Sequence, residues 1–297
     1  MFRQMISAKK YYNNPVIFPI INQKGLRETA TYNPASILKD RKVFLLYRSE
    51  EGYGNNAISR INLASSRDGF NFKCYSRNPI IDIESEEEKM GCEDPRIIKI
   101  ENKYFLTYTA YSGKDKSGDY KIKLCGAVSK DLINWRKIGS LIPKDKSGAI
   151  VQNYKFEGKY VMYFGGKIIR VAFSKDLKRW RVFPRPVISA RRGNFFDNHL
   201  VEGGAPPIVT KGGILVFYNG KNDKGKFSTG LAIFDKNNPI RLLKRYKKPI
   251  LEPTEYWEKF GKINNVVFAT GLVYFKNKWL LYYGGADKSI GVAIMNP

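Results

Sequence analysis

Short apolar runs that alternate with polar positions recur along the whole chain. Five of them share one pattern and end in an aromatic residue, and their sequences are KVFLLYR, KYFLTYT, KYVMYFGG, GILVFYNG and KWLLYYGG. After a loop of variable length, each is followed by a second apolar run that ends in a small residue. A period of two residues is typical of β-strands, and no segment shows the longer period or the capping signals of a helix. The pattern therefore predicts an all-β protein.

These five runs also define an internal repeat, because their aromatic residues recur at intervals of 54 to 65 residues. That length suits one four-stranded sheet per repeat, and five such sheets form a five-bladed β-propeller. In three repeats the second strand runs into a Ser-x-Asp turn and then an aromatic residue, at Phe72, Trp135 and Trp180. The Asp can bond its own backbone to close the turn, so we expect scaffold here. No linker is visible, and we expect one propeller domain over residues 1–297.

The formal net charge of +25 is the most unusual bulk property of the chain. Taken alone, it would favour nucleic acid, an anionic membrane or a phosphorylated ligand as the partner. The lysines are distributed singly or in pairs along nearly every segment, which is typical of a solvated surface rather than of a basic binding helix. We therefore expect neither a nucleic-acid nor a membrane partner, and polyanion binding stays a minor alternative.

The cysteines and the first residues of the chain indicate the cellular compartment in which the protein is expected. Cys74, Cys92 and Cys125 are odd in number and show no metal-ligand spacing, which favours reduced thiols. The first 19 residues lack the apolar core of a signal peptide, and no run approaches the roughly 20 apolar residues of a membrane span. We expect a soluble cytoplasmic protein without a metal or a cofactor.

The segment GCEDPR places two adjacent carboxylates and an arginine directly before the strand signature of the second repeat, at Glu93, Asp94 and Arg96. Buried charge is costly unless it is paired or used. In a propeller these side chains would point into the central funnel. The chain has a single histidine, His199, and no Gly-x-Ser-x-Gly motif, so the sequence favours neither a nucleophilic triad nor a zinc site. Paired carboxylates around a sugar-sized pocket are typical of glycosidic bond cleavage.

The sequence resembles glycoside hydrolase family 130, the mannoside phosphorylases and mannosidases built on a five-bladed propeller. The resemblance covers nearly the whole chain and runs in family order through YNPASI, FLLYR, ISRINLASSRDG, CEDPRI, VEGGAPPIVTKGGILVFYNG, NNVVFATGLV and LLYYGGADKSIGVA. It implies a β-linked manno-oligosaccharide substrate and chemistry that needs no metal. It also implies that Asp94, in the Glu-Asp-Pro-Arg motif, is the catalytic acid that protonates the glycosidic oxygen.

The same resemblance implies a set of residues that hold the mannose. An arginine suits this role because its forked donors can grip vicinal hydroxyls, but a buried arginine can also tie blades together. Asn219 joins the set at the place of a histidine in the family's Tyr-His-Gly motif. The implied substrate-binding residues are Asn33, Arg48, Arg60, Glu93, Arg96, Asn219 and Asp287.

The reaction type depends on whether the site can hold phosphate. Where the family's phosphorylases carry Arg, Lys and His, this chain has Gly165, Leu200 and Asn219, and Glu202 stands where they usually carry Gly. A carboxylate there would repel phosphate and could act as general base on a water molecule. The resemblance therefore favours an inverting hydrolase that removes terminal mannose from β-mannosides, β-1,2-linked in the favoured case, with Asp94 as acid and Glu202 as base.

Two alternatives remain open at this point. Lys146 and Lys167 lie near the expected phosphate cradle and could supply a displaced phosphate site, which would make the protein a phosphorylase that releases mannose 1-phosphate. A propeller that binds mannosides or a polyanion without turnover is the second alternative. Glu258 is a further candidate base, although a structural or subsite role is favoured for it beside Trp257. The oligomeric state is not readable.

Overall fold

The computed structural model describes residues 7–20 and 28–296, so the ends of the domain expected over residues 1–297 lie outside the described residues. Within these ranges the chain is almost entirely β-structure, which confirms the all-β class. The strands are β1 (Lys9–Lys10), β2 (Glu28–Lys39), β3 (Lys42–Glu51), β4 (Ile58–Ser66), β5 (Lys73–Cys74), β6 (Gly91–Ile100), β7 (Lys103–Lys114), β8 (Tyr120–Ser129), β9 (Trp135–Pro143), β10 (Ala149–Ile150), β11 (Tyr160–Phe164), β12 (Arg170–Ser174), β13 (Arg181–Val182), β14 (Leu200–Gly203), β15 (Ile208–Thr210), β16 (Gly213–Lys221), β17 (Phe227–Asp235), β18 (Asn238–Arg245), β19 (Val267–Phe275), β20 (Lys278–Gly285) and β21 (Ser289–Met295).

One short α-helix departs from the sequence expectation that no capping signal is present. Helix α1 (Tyr256–Lys259) begins with a reciprocal pair of hydrogen bonds, in which the side chains of Glu255 and Glu258 each accept from the other's backbone. This is the capping box that a Glu-x-x-Glu spacing allows. Two single 3₁₀ turns, at Gly54–Asn56 and Glu86–Glu88, complete the helical structure of the described part of the chain.

The strands form five antiparallel units that follow one another along the chain. The first unit is β2 to β5, the second is β6 to β9, the third is β10 to β13 and the fourth is β14 to β18. The fifth consists of β19, β20 and β21, with β1 from the start of the chain added at its outer edge. A single parallel pair between Ser59 and Gly91 joins the first two units into one eight-stranded sheet.

Five buried apolar clusters fill the spaces between these units. Each cluster draws its side chains from two neighbouring units: the first and second, the second and third, the third and fourth, the fourth and fifth, and the fifth and first. The contacts therefore form a closed cycle. The first strands of neighbouring units also touch, β19 with β2, β2 with β6, and β6 with β10.

The aromatic-ended runs of the sequence are the second strands of the units, β3, β7, β11, β16 and β20. The expectation that GCEDPR precedes the strand of the second repeat was therefore wrong, because these residues belong to β6 itself. The cause is a hairpin only two residues long between β6 and β7, which makes two strands read as a single apolar segment.

The Ser-x-Asp turns close as the sequence predicts. Asp68, Asp131 and Asp176 each accept hydrogen bonds from the backbone N–H groups two and three residues ahead. In the second and third units the indole N–H of the following tryptophan donates to a backbone carbonyl of the same turn. The three cysteines are free thiols. No described helix is long and apolar enough to cross a membrane.

Candidate active site

A bulge in β6 presents the two adjacent carboxylates. Glu93 pairs with Thr109 on β7 and Arg96 pairs with Thr107, so two residues on β6 have no opposing partner. Asp94 lies in this bulge with a φ of 52°. That left-handed conformation is unfavourable for a residue with a Cβ, and it turns the side chain out of the strand's regular alternation. The bulge thus brings Asp94 to the side where Glu93 already lies.

Arg48, on strand β3 of the first unit, holds both carboxylates. Its guanidinium lies 3.3 Å from an oxygen of Asp94, 2.8 Å from an oxygen of Glu93 and 2.5 Å from an oxygen of Glu50. The plane of the guanidinium lies over the ring of Tyr32, 4.7 Å from its centre. One arginine therefore fixes three carboxylates in a single cluster.

Asn33 completes the contacts of the acid. Its side-chain amide donates to Asp94 at 2.7 Å, and its own backbone is left-handed in a bulge of β2. The amide oxygen of Asn33 is buried and accepts no hydrogen bond among the described residues. Because an unpaired buried acceptor is costly, it is suited to receive a hydroxyl of a bound sugar.

The two adjacent carboxyl groups differ strongly in proton affinity. Burial, assisted by the negative charge of Asp94, raises the pKa of Glu93 to about 7 despite its pairing with Arg48. Burial also disfavours ionisation of Asp94, but the positive charges of Arg48, Lys146 and Arg96 outweigh this effect and lower the pKa of Asp94 to about 2. Two carboxyls whose pKa values are driven apart are the arrangement that acid–base chemistry requires. Below about pH 7 the pair still carries a proton.

Asp287 faces the same cluster from the turn after β20. Its backbone is left-handed, with a φ of 48°. Burial and the charge of Asp94 raise the pKa of Asp287 to about 6, against the opposing effect of Arg48. Its carboxyl forms no ion pair with another described residue, which leaves it available to sugar hydroxyls.

The opposite part of the site carries a lysine and a second buried glutamate. The ammonium of Lys146 lies 2.7 Å from Glu202, which also accepts a hydrogen bond of 2.6 Å from the hydroxyl of Ser147. Burial disfavours the charge of Lys146, but the carboxylates of Glu202, Asp94 and Glu93 raise its pKa above the ordinary value. The structure thus brings Lys146 and Glu202 together with the Glu93 and Asp94 pair in one electrostatic unit.

Several residues of this unit escaped the sequence analysis. Glu50 accepts from Arg48, from the hydroxyl of Tyr32 and from Lys262, which reaches it from the loop after α1. A signal for Glu50 was present, because it lies two residues after Arg48 and so on the same face of β3. Lys262 had no such signal, since its partner lies far away in sequence.

Arg96 has a different environment from that expected of a mannose-binding residue. It is buried and donates to four backbone carbonyls, those of Asp94, Pro95, Gly203 and Gly204, at 2.7–3.1 Å. These bonds join the bulge of β6 to the end of β14. Arg96 therefore positions Asp94 and the strand that carries Glu202.

Asn219 is likewise occupied by the scaffold. Its amide donates to the carbonyl of Ala269 at 3.1 Å, and its oxygen accepts from the backbone N–H of Ala269 at 2.9 Å and from the hydroxyl of Thr229 at 2.8 Å. Glu202 is its partner across β14 and β16. Asn219 therefore fixes the strand beneath Glu202.

Two other predicted residues lie away from the carboxylate cluster. Arg60 pairs with Asp82 at 2.8 Å and with Glu51 at 3.2 Å, and it follows Ser59, whose hydroxyl contacts Glu93. Successive residues of a strand point to opposite faces, so Arg60 points away from that contact. Lys167 is exposed, and its backbone carbonyl accepts from Val201 on β14.

The position where the family's phosphorylases are expected to carry an arginine, Gly165, is tightly packed. Gly165 has a φ of 129°, and an added Cβ would lie 1.9 Å from the carbonyl oxygen of Ile168. No side chain can therefore replace it without a change of the backbone.

Glu258, the further candidate base, is fully buried and belongs to the scaffold of the fifth unit. Its carboxylate accepts hydrogen bonds from Tyr283, Thr254 and Lys10.

Nearly the whole chain is similar to proteins named for their action on mannosides. The chain belongs to glycoside hydrolase family 130, because the family model described as beta-1,4-mannooligosaccharide phosphorylase matches residues 6–296. It is 37% identical to a 1,2-beta-oligomannan phosphorylase of Thermoanaerobacter sp. (strain X514), with 98% of each chain covered. It therefore belongs to a class of glycoside-active enzymes.

Solved structures of relatives agree with the fold of the described residues. One is a beta-1,2-mannobiose phosphorylase from Listeria innocua in complex with beta-1,2-mannobiose, with a TM-score of 0.85, 26% identity, and 97% of this chain and 96% of that chain covered. Another comes from work on glycoside hydrolases of this family that target beta-1,2 mannosidic linkages in Candida mannan. It has a TM-score of 0.89, 33% identity, and 98% and 94% coverage.

Proposed function

We propose that the protein is a β-1,2-mannoside phosphorylase that transfers a terminal mannose to phosphate and releases mannose 1-phosphate. The observation that carries this proposal is the exposure of Lys146. Its side chain is 29% exposed, whereas that of its partner Glu202 is 6% exposed, so the lysine is the member of this ion pair that a solute can reach more readily. A positioned cation is what a phosphate nucleophile needs. The phosphorylase relative at 37% identity supports the same reaction.

Asp94 is the proposed acid that delivers a proton to the glycosidic oxygen. In the free site the proton of the pair resides on Glu93, since its pKa lies near 7 and that of Asp94 near 2. A bound sugar would displace water from the carboxyls and bring its hydroxyls to Asn33, Arg48 and Asp94. Asp94 must therefore first take up this proton from Glu93. It would then pass the proton to the glycosidic oxygen as the bond from that oxygen to the mannose breaks and a phosphate oxygen forms the new bond to the mannose.

The closed cycle of five units supports the propeller arrangement predicted from the repeat. We infer that the units are the five blades of a propeller, in which β1 closes the ring by joining the last blade. In this arrangement the first strands line the central funnel, and the bulge of β6 lies at its mouth. A cytoplasmic location fits the proposed reaction, because a sugar phosphate is charged and does not leave the cell.

Hydrolysis, the reaction favoured by the sequence, is the second candidate. The observation in its favour is Glu202, a buried carboxylate at the place of a glycine in the family's phosphorylases, held by Ser147 and Lys146. It could serve as base on a water molecule. The relative reported among the family's hydrolases is consistent with this reaction.

Charge-removing variants separate the two reactions. For a phosphorylase, Lys146→Gln should raise the KM for phosphate about 10- to 100-fold, since charge-assisted hydrogen bonds are lost. Lys211→Gln is the matched control, because that lysine is exposed in the turn before β16, at the end of that strand away from Asn219, and should leave the KM for phosphate unchanged. Glu202→Gln should retain phosphorolysis. A loss of about 10²- to 10⁴-fold in kcat with Glu202→Gln, together with no phosphate dependence, would establish hydrolysis instead.

A further inference from the structure

The hairpin between β7 and β8 carries an aromatic strip that begins at the candidate acid pair. Glu93 pairs with Thr109, and Gly91 pairs with Tyr111 two residues farther along β7. Opposing residues of an antiparallel pair lie on the same face, as do residues two apart on one strand. Tyr111 therefore lies on the face of Glu93.

The strip continues onto β8. Tyr111 pairs with Ile122, and Tyr120 lies two residues before Ile122 on the same face. The rings of Tyr111 and Tyr120 are 5.8 Å apart and tilted by 56°. Tyr111 is half-buried, whereas Tyr120 is 63% exposed. The two rings thus form a path that leads from the acid pair to the surface.

The tip of this hairpin is held rigidly. The carboxylate of Asp115 accepts from the backbone N–H groups of Ser117 and Asp119, and two further backbone bonds close the same turn. The ammonium of Lys114 lies 5.0 Å from the centre of the Tyr120 ring. A large exposed ring in a preorganised position can bind a ligand at a low cost in conformational entropy.

We propose that Tyr111 and Tyr120 form a platform for the sugars on the leaving-group side of the scissile bond. Tyr111 would stack on the second sugar and Tyr120 on the third, with hydroxyls of the third sugar within reach of Lys114. The apolar C–H face of a pyranose ring matches the face of a tyrosine, and the ring's polar edge remains in water. This inference rests on the proposed function, since it places the scissile bond at Asp94, and it makes substrates longer than a disaccharide the preferred class.

The test compares β-1,2-mannotriose with β-1,2-mannobiose. The ratio of kcat/KM for the trisaccharide to that for the disaccharide should fall about tenfold in Tyr120→Ala, the loss that about 1.4 kcal/mol of stacking produces. Tyr120→Phe should keep the ratio, because the ring is retained. Tyr274→Ala is the matched control. Tyr274 is a partly exposed tyrosine that packs beside Trp279 near the C-terminal end of β19, outside the proposed platform. An unchanged ratio in Tyr120→Ala would overturn the platform.

A binding measurement keeps this test separate from the proposed function. If the wild-type protein cleaves neither sugar, the proposed reaction fails, and calorimetric titration of mannotriose into the wild type and Tyr120→Ala decides the platform. Weaker binding to Tyr120→Ala than to Tyr274→Ala supports it. Equal affinity for both variants, or no binding to the wild type, overturns it.

Discussion

At the scale of single residues, the site depends on one arginine between carboxylates of unequal proton affinity. Arg48 contacts Glu50, Glu93 and Asp94, and burial makes each of these contacts stronger than it would be in water. Three carboxylates around one guanidinium cannot all be neutralised by it. The result is a proton retained on Glu93, next to an ionised Asp94.

Asp94→Asn should lower kcat on a β-1,2-mannoside about 10²- to 10⁴-fold, because an amide cannot act as the acid. The kcat of this variant on a mannoside with a nitrophenolate leaving group should fall much less, since that group departs without a proton. Initial velocities of the variant and the wild type on both substrates measure these changes. An unchanged melting temperature of the variant shows that it is folded. Near-wild-type turnover of the mannoside would exclude Asp94 as the acid.

Glu93→Gln should change how stability depends on pH. The folded-state pKa of Glu93, about 7, lies above the ordinary value of 4.5, so wild-type stability is lost as pH rises from about 4.5 through 7. The variant lacks this loss. Its free energy of unfolding, relative to wild type, should therefore increase between pH 5 and 8, by on the order of 3 kcal/mol at most. Urea titrations at both pH values measure the difference, and parallel pH profiles would contradict the assignment.

At the scale of elements, the site exists because β6 and β14 are fastened to each other. Arg96 carries this connection through backbone carbonyls, two on its own strand and two at the end of β14. The same bonds fix the bulge that turns Asp94 and the strand that bears Glu202. A change at Arg96 should thus affect stability and activity together.

Arg96→Lys should lower the free energy of unfolding by about 3 kcal/mol, since an ammonium cannot reach carbonyls on both strands and buried acceptors are left unpaired. Arg60→Lys is the matched control and should cost less than about 1 kcal/mol, because its partners are exposed. Chemical denaturation of both variants measures this. Equal decreases in the free energy of unfolding for the two variants would show that the buried carbonyl contacts of Arg96 stabilise the protein no more than the exposed ion pairs of Arg60.

The sequence predicted the strands well and the contacts of its arginines poorly. Strand repeats are local, since a period of two and a recurring aromatic can be read from adjacent residues. Glu93 and Asp94 were found through their motif. A motif shows which polar residue is present but not what it contacts. Arg96 and Asn219 were therefore predicted to bind the substrate. In the structure Arg96 donates to backbone carbonyls, and Asn219 bonds the backbone of Ala269 and the hydroxyl of Thr229. Lys262 and Glu50 form an ion pair although they are 212 residues apart in sequence, and no local sequence pattern predicts such a pair.

At the scale of the whole molecule, the start of the chain closes the cycle of units. Strand β1 is only two residues long, yet it pairs with β21 and sends Lys10 to the buried carboxylate of Glu258. Two lysines in sequence give no sign of this role. This pairing brings the first and last described strands together in the fifth unit, whose turn carries Asp287.

Lys10→Met should destabilise the protein by about 3 kcal/mol, because it leaves the charge of Glu258 buried without its cation. Lys9→Met is the matched control, since Lys9 is the exposed neighbour on the same strand. Thermal denaturation should show a clear decrease of the melting temperature for the first variant and almost none for the second. Similar melting temperatures for both would mean that the ion pair does not secure the closure.

The most direct test of the proposed reaction is the identification of products from β-1,2-mannotriose, incubated with the purified protein with and without inorganic phosphate. The proposal predicts mannose 1-phosphate, formed at a rate that rises with phosphate concentration, and almost no free mannose. Free mannose formed at the same rate without phosphate would contradict it, and would make Glu202 the base of a hydrolase.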